Sequence, residues 1–125
     1  MSDHNTRGTL DINKDYLDQI RRRVNTIAYH AHKNSKDHGF WQGEQNYGEK
    51  ICLMHAELSE CLEAQREGNP PSSKIPEFSC EEEELADAII RILDYAEARG
   101  FDLGGAIIAK MQFNRTREHK HGKKF

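Results

Sequence analysis

The chain has 125 residues, of which 36% are hydrophobic and 31% charged, with a formal net charge of -3. At this length one domain with a modest core is expected, and the composition excludes an intrinsically disordered chain. No run of about 18 apolar residues occurs, so a membrane span is not expected, and the opening MSDHNTRGTLD lacks the apolar stretch of a secretion signal.

The first helix is expected in DYLDQIRRRVNTIAYHAH, where Leu17, Ile20, Val24, Ile27 and Ala31 recur at three- and four-residue intervals. The linker KNSKDHGFWQGEQ follows. Phe40 and Trp41 lie within it, off any helical stripe and flanked by glycine.

A second helix is expected in YGEKICLMHAELSECLEAQREG, with Asn46 as N-cap, Gly68 as stop and a stripe of Ile51, Met54, Leu58, Cys61 and Leu62. NPPSSKIPEF, which holds all three prolines, reads as an irregular loop. Ser79 and Glu82 then form a capping-box pattern. They open a third helix with the stripe Leu85, Ala88, Ile89, Ile92 and Ala96, ending at Gly100. The acidic run Glu81–Glu83 suits the positive end of that helix. Asp102 can cap a fourth helix with the stripe Leu103, Ala106, Ile107 and Met111.

These elements predict an all-α fold, a four-helix bundle in a single domain of residues 1–125. Residues 1–10 are expected to form a flexible start and 118–125 a basic tail. Cys52, Cys61 and Cys80 are odd in number and show no C-x-x-C spacing, which argues against a disulfide framework or a zinc ribbon. Cys52 and Cys61 are expected as small buried hydrophobes, and a reducing cytoplasm fits. His4, His30, His38 and His119 form no metal-like spacing.

The chemistry-bearing pattern is a pair of carboxylate dyads, Glu57 with Glu60 and Glu84 with Asp87. Residues three apart on a helix lie about 60° apart on one face, and each dyad is displaced from its own apolar stripe by roughly 130–140° in the same sense. Antiparallel packing of helices two and three would turn both dyads into one groove. Four carboxylates there would repel one another and raise their own pKa values. Arg91 and Arg66 are nearby neutralisers, but a hard divalent cation such as Mg²⁺ or Mn²⁺ suits an all-oxygen donor set better. The competing reading is a solvated acidic surface.

The order ELSE, gap, ELAD resembles the all-α nucleoside triphosphate pyrophosphohydrolases of the MazG type. The ending AKMQFNRTREHKHGKKF is also similar to the tail of several members. The resemblance implies a four-helix MazG-like fold and Mg²⁺-dependent conversion of a (deoxy)nucleoside triphosphate to monophosphate and pyrophosphate, as house-cleaning of the nucleotide pool. It implies Glu57, Glu60, Glu84 and Asp87 as metal ligands, and a homodimer or homotetramer that completes the bundle.

One departure is that Ala56 precedes Glu57 where many members double the glutamate. This leaves open the number of ions and the identity of a general base, for which Glu63 is one candidate. On the fourth helix Lys110 and Asn114 share a face that Arg117 continues. The resemblance tips Lys110 and Asn114 towards nucleotide contact. A solvated basic helix end is the alternative, and it accounts for Arg117, itself a candidate substrate contact, without further function. Lys123 lies in residues 121–124, which resemble the family's ending and would either order over the phosphates or form a disordered terminus. Trp41 and His32 are similarly placed to the base-stacking tryptophan and pocket histidine of the deoxycytidine triphosphatase branch; the competing reading is that Phe40 and Trp41 anchor the linker on the core. The alternatives are a phosphoribosyl-ATP pyrophosphohydrolase and a non-catalytic helical module. The acidic balance disfavours nucleic acid as a partner of the latter.

Overall fold

The computed structural model describes residues 13–124. The expectations for residues 1–10 and for His4 lie outside that range. Four helices are present: α1 (Lys14–Asp37), α2 (Tyr47–Arg66), α3 (Cys80–Ala98) and α4 (Leu103–Arg115), followed by a short 3-10 turn at His119–Gly122. Among the described residues the only β pairing is an isolated bridge between Pro71 and Ser79, so the fold is all-α. No helix here is long and apolar enough to cross a membrane.

The helix ends follow local chemistry. The Asn46 side chain accepts from the Glu49 amide, Ser79 and Glu82 form a reciprocal capping box, and Asp102 accepts from the Gly105 amide. Gly68, at φ +88, turns the chain out of α2 through a left-handed conformation that glycine adopts without steric cost.

The chain forms two compact units. One is Ala28–Gly100, and the other combines the residues up to Ile27 with those from Phe101 onward. In the second of these, Asp102 accepts from Asn25 Nδ2 at 2.7 Å and pairs with Arg21 Nε at 3.0 Å, while Asn25 Oδ1 accepts from the Gly104 amide at 2.9 Å. A Cβ at Gly104 would strike the Arg21 carbonyl oxygen, so this crossing of α1 and α4 admits only glycine.

In the unit Ala28–Gly100, α2 and α3 run antiparallel: Glu57 meets Arg91, and further along α2 Cys61 reaches back to the Glu81 carbonyl near the start of α3. The buried positions are Met54, Glu57 and Ala64 on α2, and Ala88, Leu93 and Ala96 on α3. Of the stripes expected from periodicity, Met54, Ala88 and Ala96 are buried, whereas the large branched members are not. Ile51, Leu58, Leu62, Leu85, Ile89 and Ile92 are all between 37% and 56% exposed. The alanines among the buried positions allow close helix approach, and on α2 the buried face is turned from the leucine stripe towards Glu57. Cys52, expected inside, is exposed, Cys61 is half-buried and Ile27 is exposed.

The proline-rich loop is irregular but firmly held. Asn69 Oδ1 accepts from the Glu81 amide and Cys80 donates its amide to the Pro70 carbonyl, both at 2.8 Å. Ser72, only 1% exposed, accepts from the amides of Lys74 and Ile75. This tether fixes the start of α3, and hence its carboxylates, against the end of α2.

Candidate metal centre and adjoining groove

The antiparallel pairing brings the dyads together. Carboxylate oxygens of Glu57, Glu60 and Glu84 lie within 4.8 Å of one another, and those of Glu83, Glu84 and Asp87 form a second such group that shares Glu84. Glu57 is buried, Glu84 and Asp87 are half-buried, and Glu60 is exposed. One oxygen each of Glu57 and Glu84 is buried without a hydrogen-bond partner. Buried acceptors left unpaired are costly, and a hard cation is the partner that oxygen donors from two helices can share. The residues fit a divalent cation on that ground.

Charge in the cluster is shared unevenly. Burial pushes the Glu84 carboxyl up, and the neighbouring Glu60 and Glu57 push it further, from 4.5 to about 7. Burial also raises Asp87, together with the charges of Glu57 and Glu83, against the opposing pull of Lys74 and Arg91. At Glu57 burial acts upward too. It is outweighed by the hydrogen bond and charge of Arg91 and by the influence of the neighbouring Glu84 and Glu60 carboxyls, so this carboxyl is held below its ordinary value.

Glu83 was not expected in this cluster, because its position at a helix start explains an acidic residue without further function. Its signal lay in the loop: Ser72 donates to Glu83 Oε1 at 2.5 Å and Lys74 Nζ lies 3.8 Å from Oε2. Glu63, considered as a possible base, is exposed and belongs to neither group.

A groove of about 770 Å³ extends from the carboxylates. Trp41 and Asp94 line it, together with Glu57, Glu60, Glu84 and Asp87. A single oxygen of Asp94 takes both Trp41 Nε1–H and His32 Nδ1 at 2.9 Å, and the two rings meet edge to face with centroids 5.3 Å apart. An ionised carboxylate only accepts, so in the neutral imidazole Nδ1 carries the proton and Nε2 is left as an acceptor. Lys50 Nζ stands 3.8 Å over the indole. Phe40, by contrast, is 69% exposed.

The expected phosphate contacts belong to the other unit. Lys110 and Arg117 lie over the Phe113 ring, at 4.7 and 5.7 Å from its centroid. Asn114 is half-buried, with its Oδ1 buried and unpaired, and Lys123 is exposed, its amide bonded to the Lys120 carbonyl. Seven positions are thus gathered in one unit by α1, α2, α3 and their connections: His32, Trp41, Glu57, Glu60, Glu84, Asp87 and the unforeseen Asp94. No protein-family model matches this chain, and neither the curated proteins nor the solved structures gave a significant match.

Because Glu84 holds its proton more tightly in the folded than in the unfolded chain, folding takes up a proton between pH 4.5 and about 7. The stability it contributes is complete below 4.5 and is lost as pH rises through the folded value. Asp87 acts in the same direction from 3.8 upward, whereas Glu57, being lowered, loses its contribution as the solution is acidified. In EDTA, Glu84→Gln is expected to be more stable than the parent on the alkaline side of this window and to flatten the slope within it, as read by urea denaturation. An unchanged slope would remove Glu84 as its source.

Proposed function

We propose that the chain is a divalent-metal-dependent nucleoside triphosphate pyrophosphohydrolase of the MazG-like kind. The observation that carries this reading is the pair of buried, unpartnered carboxylate oxygens of Glu57 and Glu84, which come from antiparallel helices and line one groove with the Trp41 indole. A bound Mg²⁺ or Mn²⁺ would supply charge neutralisation and activation of water.

The chain's own residues would do the rest. Glu57, Glu60 and Glu84 would hold a cation in one group and Asp87 would contribute from the adjoining group that shares Glu84, with the tethered loop fixing their spacing. Glu84, whose proton is held to about 7, would have to give it up to serve as a ligand. Trp41 and His32, both oriented by Asp94, offer an aromatic wall and a hydrogen-bond acceptor to a nucleobase. Lys110, Asn114, Arg117 and Lys123 are proposed to contact phosphates. Phosphoryl transfer of this type needs positioning and charge stabilisation rather than a covalent nucleophile.

The exposed stripes of α2 and α3 support association with further copies of the chain, since contiguous exposed apolar surface is uncommon on monomers. A homodimer or homotetramer is proposed, and a cytoplasmic setting accompanies the reading.

With Mg²⁺ and a panel of nucleoside triphosphates, pyrophosphate rather than orthophosphate is the expected product. Glu60→Gln and Asp87→Asn are each expected to lower turnover at least a hundredfold (about 3 kcal/mol) with little change in melting temperature; full activity in either would refute the assignment. Trp41→Ala should raise KM more than it lowers kcat, and an unchanged KM would return the indole to the scaffold. Sedimentation analysis should find a dimer or tetramer that Leu58→Glu dissociates. A parent protein that stays monomeric at every concentration would sink that part of the proposal.

A further inference from the structure

Arg91 lies four residues after Asp87 on α3 and so shares the carboxylate side of that helix. Its Nε donates to Glu57 Oε1 at 2.8 Å, yet its side chain is 42% exposed while that of Glu57 is 10% exposed. It lines the same groove as Glu60, Glu84 and Asp87. A guanidinium has five N–H donors. Only the Nε donor is engaged in a hydrogen bond among the described residues.

Arginine–carboxylate pairs frequently grip both oxygens side by side. Here the contact is one-sided: Glu57 Oε2 is left unpartnered and both Nη groups of Arg91 are unspent. The groove is lined by five carboxylates, at positions 57, 60, 84, 87 and 94, and by three cations, Lys50, Lys74 and Arg91. Lys74 is already paired with Glu83, at 3.8 Å. Lys50 stands over the Trp41 ring and donates to the Phe40 carbonyl at 3.4 Å. An anionic substrate entering this acidic groove needs a donor beside the carboxylates, and there Arg91 offers two Nη groups.

We propose that Arg91 is a phosphate ligand: Nε stays on Glu57, which fixes the side chain, and the two Nη groups grip non-bridging oxygens of a polyphosphate bound beside the carboxylates. The planar fork matches phosphate geometry, and a tethered side chain loses less freedom on binding. This inference rests on the polyphosphate reading above, and it adds a recognition element from α3 that is independent of the basic helix α4.

The test uses the full chain and two titrations followed by calorimetry, Mn²⁺ alone and inorganic tripolyphosphate with saturating Mg²⁺. Arg91→Met is expected to weaken tripolyphosphate binding by roughly tenfold to a hundredfold, the range for a charge-assisted pair. Its affinity for Mn²⁺ should be unchanged or tighter, because a competing positive charge has left Glu57. Arg91→Lys keeps that charge but not the fork, and should bind tripolyphosphate at an intermediate strength; it also serves as the readout if the methionine variant fails to fold. Parental tripolyphosphate affinity in the variants, with only Mn²⁺ affinity altered, would overturn the proposal and leave Arg91 as a counter-charge. A parent that binds tripolyphosphate but hydrolyses no nucleoside triphosphate would refute the hydrolase reading while leaving the Arg91 comparison intact. A parent that binds no tripolyphosphate would overturn both.

Discussion

The structure of the unit Ala28–Gly100 depends on a helix contact that electrostatics alone would forbid. α2 and α3 are pressed together with Glu57, Glu60 and Glu84 within 4.8 Å of one another. Like charges at such separations destabilise the folded state unless something intervenes. Arg91 takes the deepest carboxylate, and a proton retained on Glu84 to about pH 7 removes one charge. Two buried oxygens still have no partner. The fold is thus completed only in part by its own side chains, as expected where stability is given up to build a site.

The loop between the helices bears the mechanical load. Its prolines limit the unfolded ensemble, and Ser72 sits at its centre, bonded to two backbone amides and to Glu83. Asn69 and Pro70 secure the first turn of α3 from the other side. Since the first turn of a helix sets the phase of all that follow, these contacts determine where Glu84, Asp87 and Arg91 point. Serine, asparagine and proline in a connecting segment thereby govern the geometry of acidic residues up to several turns away.

Convergence of the dyads was legible in the sequence because it needs only the angular period of a helix and a guess at antiparallel packing. The caps at Asn46, Ser79 and Asp102 were legible for a similar reason, since each acts within three residues of itself. The buried face was legible only in part. Periodicity places Met54, Ala88 and Ala96 inside, where they are, but misses Ala64 and Leu93 and assigns Leu58, Leu85 and Ile89 to an interior they do not enter. Small residues carry little signal in a hydrophobic stripe although they decide how closely helices approach. Asp94 was equally hidden. Its partners lie 53 and 62 positions away in the chain, and no local pattern announces an isolated aspartate.

That aspartate has a consequence for how the groove responds to change. One oxygen anchors both an indole and an imidazole, so the two rings share a single pivot rather than standing on separate supports. Displacing either alters the hydrogen-bond competition felt by the other, and perturbations at His32 and Trp41 will not add as independent sites would. The aromatic wall behaves as one mechanical part, and its stiffness is set by a residue that neither ring reveals.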